Sequence, residues 1–191
     1  MSRAAMGREA FMRAIAASPA ANPVMDRTLH ARTGDLAKAV GVFRPRLVVS
    51  PELYDAPRFV RQFVLYHEMA HVVLRHGLWL AAAKAIGVLH AFAFAFVVAL
   101  LLSRDVVAST MLASAVVLLE VRCELFALPL RRSCESEADV LALAVVPAIH
   151  YAKALSVLHK LPKRGFARWA TGYVYGRTWR ERALRVGVVS E

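Results

Sequence analysis

Two long apolar runs limit what this chain can fold into. Residues 85–102 read AIGVLHAFAFAFVVALLL, in which His90 is the only polar side chain, and residues 106–119 continue the apolar character after a short polar break. As a helix, the first run would span roughly 27 Å, close to the thickness of a bilayer's hydrocarbon core. We therefore predict a helical hairpin over residues 85–119 that crosses or dips into a membrane. The alternative is a buried pair of core helices.

The distribution of charge indicates how such a hairpin would be oriented. Of the 25 lysines and arginines, only Arg104 lies within residues 85–119. The positive-inside rule then places both flanks on the cytoplasmic side, which predicts a multi-pass integral membrane protein. A formal net charge of +11 and a hydrophobic content of 58 % favour membrane lipid as a partner. They do not favour nucleic acid, for which the sequence carries no recognition module.

The flanks of the hairpin predict a mainly α fold with a small β element. Residues 2–17 form a basic amphipathic pattern, read as a surface helix with a mitochondrial presequence as the alternative. The run RLVVS (46–50) predicts a strand, and a helix is expected from about 57 to 76, with Asp55 as a possible cap. We divide the chain into an N-terminal helical segment (1–45), a strand and helix (46–84), the hairpin (85–119) and a second helical part (120–191).

The stretch HEMAH, within the helix predicted before the hairpin, carries the clearest chemical signal. His67 and His71 are four residues apart and would share one helix face, so that both imidazoles could bind one metal ion. Glu68 lies beside them, where it could act as general base on a metal-bound water. Zinc lowers the pKa of such a water from 15.7 to about 7 and polarises the scissile carbonyl. This pattern predicts a zincin-like catalytic domain that the membrane hairpin interrupts; the alternative is a helix with two surface histidines.

A third metal ligand is expected downstream of the hairpin. Catalytic zinc usually has three protein ligands, and the glycine and histidine of the longer HExxHxxGxxH pattern are absent. The segment RRSCESEAD instead offers Glu135 as a ligand and, four residues later, Asp139 to hold the free ring N–H of a zinc histidine. Glu137 is expected to point elsewhere, into solvent.

Together, HEMAHVVLRH and RRSCESEADVLAL resemble the prenyl-protease/HtpX-type family of membrane zinc metallopeptidases. That family's second motif reads approximately S-R-x-x-E-x-x-A-D, and Arg131 replaces the serine here. The C-terminal segment YGRTWRERALRV keeps Glu181 and Arg182 but lacks the family's His-Pro step. The sensor-transducer peptidases of the β-lactam receptor type carry a similar pair of motifs. The second motif is matched at four positions, Arg132, Glu135, Ala138 and Asp139.

The resemblance implies a membrane-associated zinc endopeptidase that cleaves membrane or membrane-proximal proteins. The alternative is a catalytically weak relative that serves as a membrane scaffold or sensor-transducer. The edge of RLVVS could bind an extended peptide substrate. The transition-state oxyanion would need a donor besides zinc. The sequence makes no prediction of oligomeric state. Candidate oxyanion donors are Tyr173, Tyr175 and Arg182, with His150 and Arg177 as further possibilities.

Overall fold

Two segments that are far apart in the sequence fold together. The computed structural model describes residues 7–33, 35–101 and 129–160, with the single positions 107, 111 and 114. Described residues up to Gly77 and from Arg132 onward form one compact unit, and those from Leu78 to Arg131 form a second. The first unit therefore contains both HEMAH and ESEAD.

The N-terminal part of the first unit contains helices, but two short strands also lie within residues 1–45, which the sequence analysis took as a helical segment. Helix α1 spans Arg8–Ala16 and buries Phe11 and Ile15 on one face. The Pro-rich segment after it forms a short 3₁₀ turn, Pro19–Ala21, in which the Ala20 N–H donates to the Ser18 hydroxyl. A second short helix, α2, spans Leu29–Thr33. Residues 2–6 of the predicted first helix lie outside the described residues.

The strands of a three-stranded sheet all precede the histidine helix in the chain, the first of them between α1 and α2. Its strands are β1 (Val24–Met25), β2 (Ala37–Val40) and β3 (Arg46–Val49), in the order β1-β3-β2. Strand β3 pairs parallel with β1 and antiparallel with β2. The strand predicted at RLVVS is confirmed, but the expectation that its edge binds a substrate is wrong because β3 is the central strand. Strand β2 forms one edge of the sheet.

The helix that carries both histidines is shorter than predicted. Asp55 ends a separate helix, α3 (Glu52–Asp55), and the N-cap of α4 (Arg58–Val73) is Pro57. Helix α4 ends at Val73, and Arg75 adopts a φ of 54°, in the left-handed region that non-glycine residues seldom occupy. The next helix, α5, begins at His76. A Cβ on Gly77 would lie 2.9 Å from the Gly41 carbonyl oxygen, so this position requires glycine for close approach rather than as a helix stop.

Two apolar clusters fix α4 against the later helices, α6, which includes residues 129–143, and α7 (Ala148–Lys160). In one cluster Phe63 of α4 meets Tyr151 of α7 edge to face, with ring centroids 5.1 Å apart, above Leu47 and Val49 of β3. In the other, Phe11 and Ile15 of α1 pack with residues of α4 and α6, namely Ala70, Leu74, Ala138 and Leu141. Packing on both sides holds α4 and α6 in a fixed register.

Helix α5 (His76–Leu101) carries the apolar run and begins well before the predicted boundary at residue 85. Among the described residues it is the one helix long and apolar enough to cross a membrane, over His76–Val97. The large apolar side chains between residues 86 and 97 are exposed; Phe92, for example, is 71 % exposed. The second arm of the predicted hairpin, residues 106–119, lies outside the described residues except for positions 107, 111 and 114, which are helical. The mainly helical fold with a small sheet is confirmed.

Candidate metal centre

Three side chains from two helices converge at one point in the first unit. His67 and His71 stand on successive turns of α4 with their Nε2 atoms 3.1 Å apart. Glu135 of α6 places Oε2 3.2 Å from His67 Nε2 and Oε1 3.6 Å from His71 Nε2. The structure thus brings together the three predicted ligands, two of them 68 positions apart in the chain.

The spacing of these atoms fits a tetrahedral zinc ion. Ligand atoms about 2.0–2.1 Å from zinc at tetrahedral angles would lie about 3.3 Å from one another. The distances observed here, which use Oε2 of Glu135 for His67 and Oε1 for His71, run from 3.1 to 3.6 Å. With one ligand atom from each residue, all three atoms lie within 4.8 Å of one another. Two imidazoles and one carboxylate are also a donor set that zinc accepts in catalytic sites, leaving a fourth position open. His67, His71 and Glu135 could therefore hold a metal ion.

Asp139 lies behind the first histidine. Its Oδ1 is 2.9 Å from His67 Nδ1, and only 2 % of the residue is exposed. Burial by itself lowers the pKa of His67, but hydrogen bonds and charge from Asp139 and Glu135 outweigh it and raise that pKa to about 10. In the metal-free protein His67 is therefore a buried imidazolium between two carboxylates. Nδ1 bonded to Asp139 leaves Nε2 as the nitrogen directed at Glu135 and His71.

Glu68 lies beside the cluster and is held by the sheet. The backbone N–H of Ala39 in β2 donates a hydrogen bond of 2.7 Å to Glu68 Oε2. Burial raises the pKa of Glu68 to about 7, against the opposing effect of His67, so the carboxyl titrates near neutrality. A general base with this pKa can both accept and return a proton at neutral pH.

The second histidine has a partner that the sequence analysis missed. His76 Nδ1 lies 2.7 Å from His71 Nδ1, and His76 Nε2 lies 3.3 Å from Glu137 Oε2. Glu137 was expected to point into solvent; it instead contacts this buried ring. Burial lowers the pKa of His71 to about 3, with the charge of His67 acting in the same direction, so His71 is a neutral imidazole. Helical spacing could not reveal His76, because the left-handed turn at Arg75 aims it at His71.

The predicted oxyanion donors are not brought to the centre by any described contact. Tyr173, Tyr175, Arg177 and Arg182 all lie outside the described residues. The ring of His150 lies near Phe59, with centroids 6.4 Å apart. Its Nδ1 is buried without a hydrogen-bond partner among the described residues.

Comparison with known proteins identifies the family to which this centre belongs. The profile described as Peptidase family M48 matches residues 27–180, well over half of the chain and a range that includes every member of the cluster. No curated protein and no solved structure matches the sequence. M48 peptidases are metallopeptidases and typically depend on zinc, in accord with a cluster of two histidines and a glutamate. The chain belongs to peptidase family M48.

Proposed function

We propose that this protein is a membrane-anchored zinc endopeptidase of the prenyl-protease/HtpX type, with His67, His71 and Glu135 as metal ligands. The observation that carries the proposal is the convergence of these three side chains, with one ligating atom from each within 4.8 Å of the others, beside the half-buried carboxylate of Glu68. A helix with two incidental surface histidines would not bring a carboxylate from another helix to the same point. The family assignment supports the same reaction class.

In this proposal Glu68 is the proton-transfer residue. Zinc, when bound, supplies Lewis-acid polarisation of the carbonyl and acidifies the attacking water. Glu68 takes the proton of that water and delivers it to the leaving amine. The Ala39 amide holds one carboxylate oxygen at 2.7 Å, which fixes the orientation of the side chain and leaves the other oxygen for the water. Asp139 holds His67 by its Nδ1 atom.

The outer edge of β2 is the proposed binding surface for the substrate backbone. The Ser50 amide donates to the Leu36 carbonyl, so this pair and every second pair along β2 and β3 is hydrogen-bonded. The backbone groups of Ala37 and Ala39 therefore point away from β3, toward the outer edge, where the Ala39 N–H already donates to Glu68. An extended peptide added there would pass beside Glu68 and be held mainly by main-chain hydrogen bonds to the other edge groups, the N–H and C=O of Ala37 and the C=O of Ala39. Such binding tolerates many side chains, as cleavage of varied protein substrates requires.

Helix α5 is the proposed membrane anchor. Its candidate span of 22 residues would be about 33 Å long, enough for a hydrocarbon core of about 30 Å. None of its most apolar window is buried within the protein. Because His67 and Glu135 meet although α5 lies between them in the chain, a crossing by α5 requires a return crossing before residue 132. This requirement is met by the hairpin proposed from the sequence, and the basic flanks favour the cytoplasmic side for the catalytic unit.

The first test is zinc stoichiometry of detergent-purified protein by elemental analysis. Wild type and Glu68→Gln are expected to hold one zinc per chain, and Glu135→Ala is expected to be depleted. Glutamine keeps an oxygen that can accept from the Ala39 amide, so Glu68→Gln is a matched control for the site's structure. It should nevertheless lose about 10²- to 10⁴-fold in peptide hydrolysis, because it cannot accept the proton. Wild type without zinc would contradict the proposal.

The same experiment addresses the alternative function. Normal zinc content in wild type, with no hydrolysis of unfolded proteins or membrane-proximal peptides, would favour a catalytically weak scaffold or sensor-transducer. In that case Glu68→Gln and wild type would behave alike in every assay.

A further inference from the structure

The cluster His71, His76 and Glu137 extends the metal centre in a direction that the proposed catalytic roles do not use. His76 is the first residue of α5 and is 2 % exposed. Its ring packs edge to face on the ring of His71, with centroids 4.8 Å apart, and contacts Glu137 on its other side. Burying an imidazole and a carboxylate removes polar groups from water, which costs free energy. An apolar side chain would fill the same space without that cost.

The tautomers of the two histidines determine which atom donates and which accepts between His71, His76 and Glu137. If His71 binds a metal through Nε2, its neutral ring must carry its proton on Nδ1. The Nδ1 atom of His76, 2.7 Å away, must then accept that proton's hydrogen bond. A neutral His76 consequently carries its own proton on Nε2, where Glu137 Oε2 lies 3.3 Å away to accept it. Only one direction of donation satisfies all three residues.

We propose that His76 and Glu137 are positioning residues for His71: Glu137 orients His76, and His76 holds His71 in the tautomer that presents Nε2 to the metal. This proposal rests on the proposed function only in taking His71 as a ligand. Both histidine ligands would then be backed by a carboxylate of α6, His67 directly by Asp139 and His71 through His76 by Glu137. Partners of this kind fix ring orientation and raise ligand basicity.

The local backbone is consistent with a turn built to place His76. Arg75 occupies the left-handed region at φ 54°, a conformation that is unfavourable for a side chain of its size. Immediately afterwards, Gly77 approaches the Gly41 carbonyl so closely that a Cβ would have to displace backbone. A strained residue and a close backbone approach thus lie on either side of His76, and both determine where its ring lies.

The test compares zinc dissociation constants of detergent-purified variants, measured by chelator competition. His76→Phe keeps a buried ring but removes the acceptor, and is expected to weaken zinc binding about 10- to 100-fold. His76→Asn places a carbonyl oxygen near the position of Nδ1 and should recover part of that loss. His30→Phe, a histidine of α2 outside the cluster, controls for general destabilisation and should bind zinc as wild type does.

Glu137→Leu tests whether the carboxylate acts through His76. Alone it should weaken zinc binding, by less than His76→Phe does. In the His76→Phe background it should have no further effect, because the two residues act in series. Simple additivity of the two losses would overturn the role assigned to Glu137.

Two spectroscopic readouts separate positioning from a merely structural role. Long-range ¹H–¹⁵N NMR of the zinc-loaded protein should show His71 protonated at Nδ1 in wild type, and the visible bands of the Co²⁺-substituted protein should shift in His76→Phe. If wild type binds zinc and His76→Phe matches it in affinity and in cobalt spectrum, the inference is overturned while the proposed function stands. If wild type binds neither metal, both are overturned.

Discussion

At the scale of single residues, Asp139 offers the clearest prediction about metal affinity. Its carboxylate is almost fully buried and bonded to His67 Nδ1 at 2.9 Å, so it compensates the positive charge that zinc brings to that ring. Asp139→Asn removes the charge while keeping the shape, and should weaken zinc binding about 10- to 100-fold. Chelator competition measures this directly. Asp55→Asn, at an exposed carboxylate on α3, is the control and should leave the affinity unchanged; an equal loss in both variants would contradict the role of Asp139.

The protonation states of the two histidines predict how zinc binding depends on pH. The pKa of His67 is raised to about 10, so between pH 6.5 and 9 the metal must displace a proton from that ring. The pKa of His71 is lowered to about 3, so that ring has none to lose. The apparent zinc affinity should therefore rise at least about tenfold per pH unit in this range. Titration calorimetry in buffers of different ionisation enthalpy should show release of at least one proton at pH 8, that of His67, to which ionisation of a zinc-bound water adds.

The raised pKa of His67 also predicts how the stability of the metal-free protein changes with pH. A histidine whose folded-state pKa lies above its unfolded value contributes stability that is full below the unfolded value. For His67 this contribution should be complete below about pH 6.5 and be lost as pH rises toward about 10. Metal-free protein should therefore melt at lower temperature at pH 9 than at pH 6.5. A melting temperature and a zinc affinity that are both independent of pH would contradict the buried imidazolium.

At the scale of secondary-structure elements, one amide of β2 connects the sheet to Glu68, the proposed general base. Because the Ala39 N–H points away from β3 and donates to Glu68, Ala39→Pro removes that bond without removing a ladder hydrogen bond. We expect this variant to keep its zinc and fold but to lose peptidase activity about tenfold or more. Hydrolysis rates and melting temperatures of detergent-purified protein test the expectation.

The neighbouring residue provides the matched variant. The Lys38 amide faces β3, so Lys38→Pro should instead lower the free energy of unfolding by about 1–3 kcal/mol. Activity per folded molecule should be less affected than in Ala39→Pro. Equal losses of stability in the two variants would contradict an Ala39 amide that points away from β3 and a Lys38 amide that faces it.

These elements also show which features of the site can be predicted from sequence patterns. The i, i+4 pairs His67–His71 and Glu135–Asp139 could be predicted because helical spacing alone places each pair on one face. The hydrogen bond from the Ala39 amide could not be predicted, because any residue except proline can donate it. In addition, AKAV has too few β-branched residues to indicate a strand. His76 escaped prediction because its position depends on a left-handed arginine, which no local pattern encodes.

At the scale of the whole molecule, the metal centre limits how the chain can pass through a membrane. Helix α5 separates the two halves of a centre whose members lie 3.2 Å apart. If α5 spans the bilayer, the segments before and after it that form the centre must still lie on one side of the membrane. The chain between residues 77 and 132 must therefore cross an even number of times. Single cysteines at Arg8 and Lys153, both exposed, should therefore react with an impermeant thiol reagent only from the cytoplasmic face.

The background for this experiment replaces Cys123 and Cys134 with serine, and elemental analysis for zinc is used to check that the centre survives the replacement. In bacterial inner-membrane vesicles of either orientation, Arg8→Cys and Lys153→Cys should be labelled together, because the folded unit holds both segments on one side. Arg104→Cys, at the predicted tip of the hairpin, should be labelled from the opposite face if the hairpin crosses, and from the same face if it only dips into the bilayer. Labelling of Arg8→Cys and Lys153→Cys from opposite faces would contradict the shared centre, since His67 and Glu135 could not then meet.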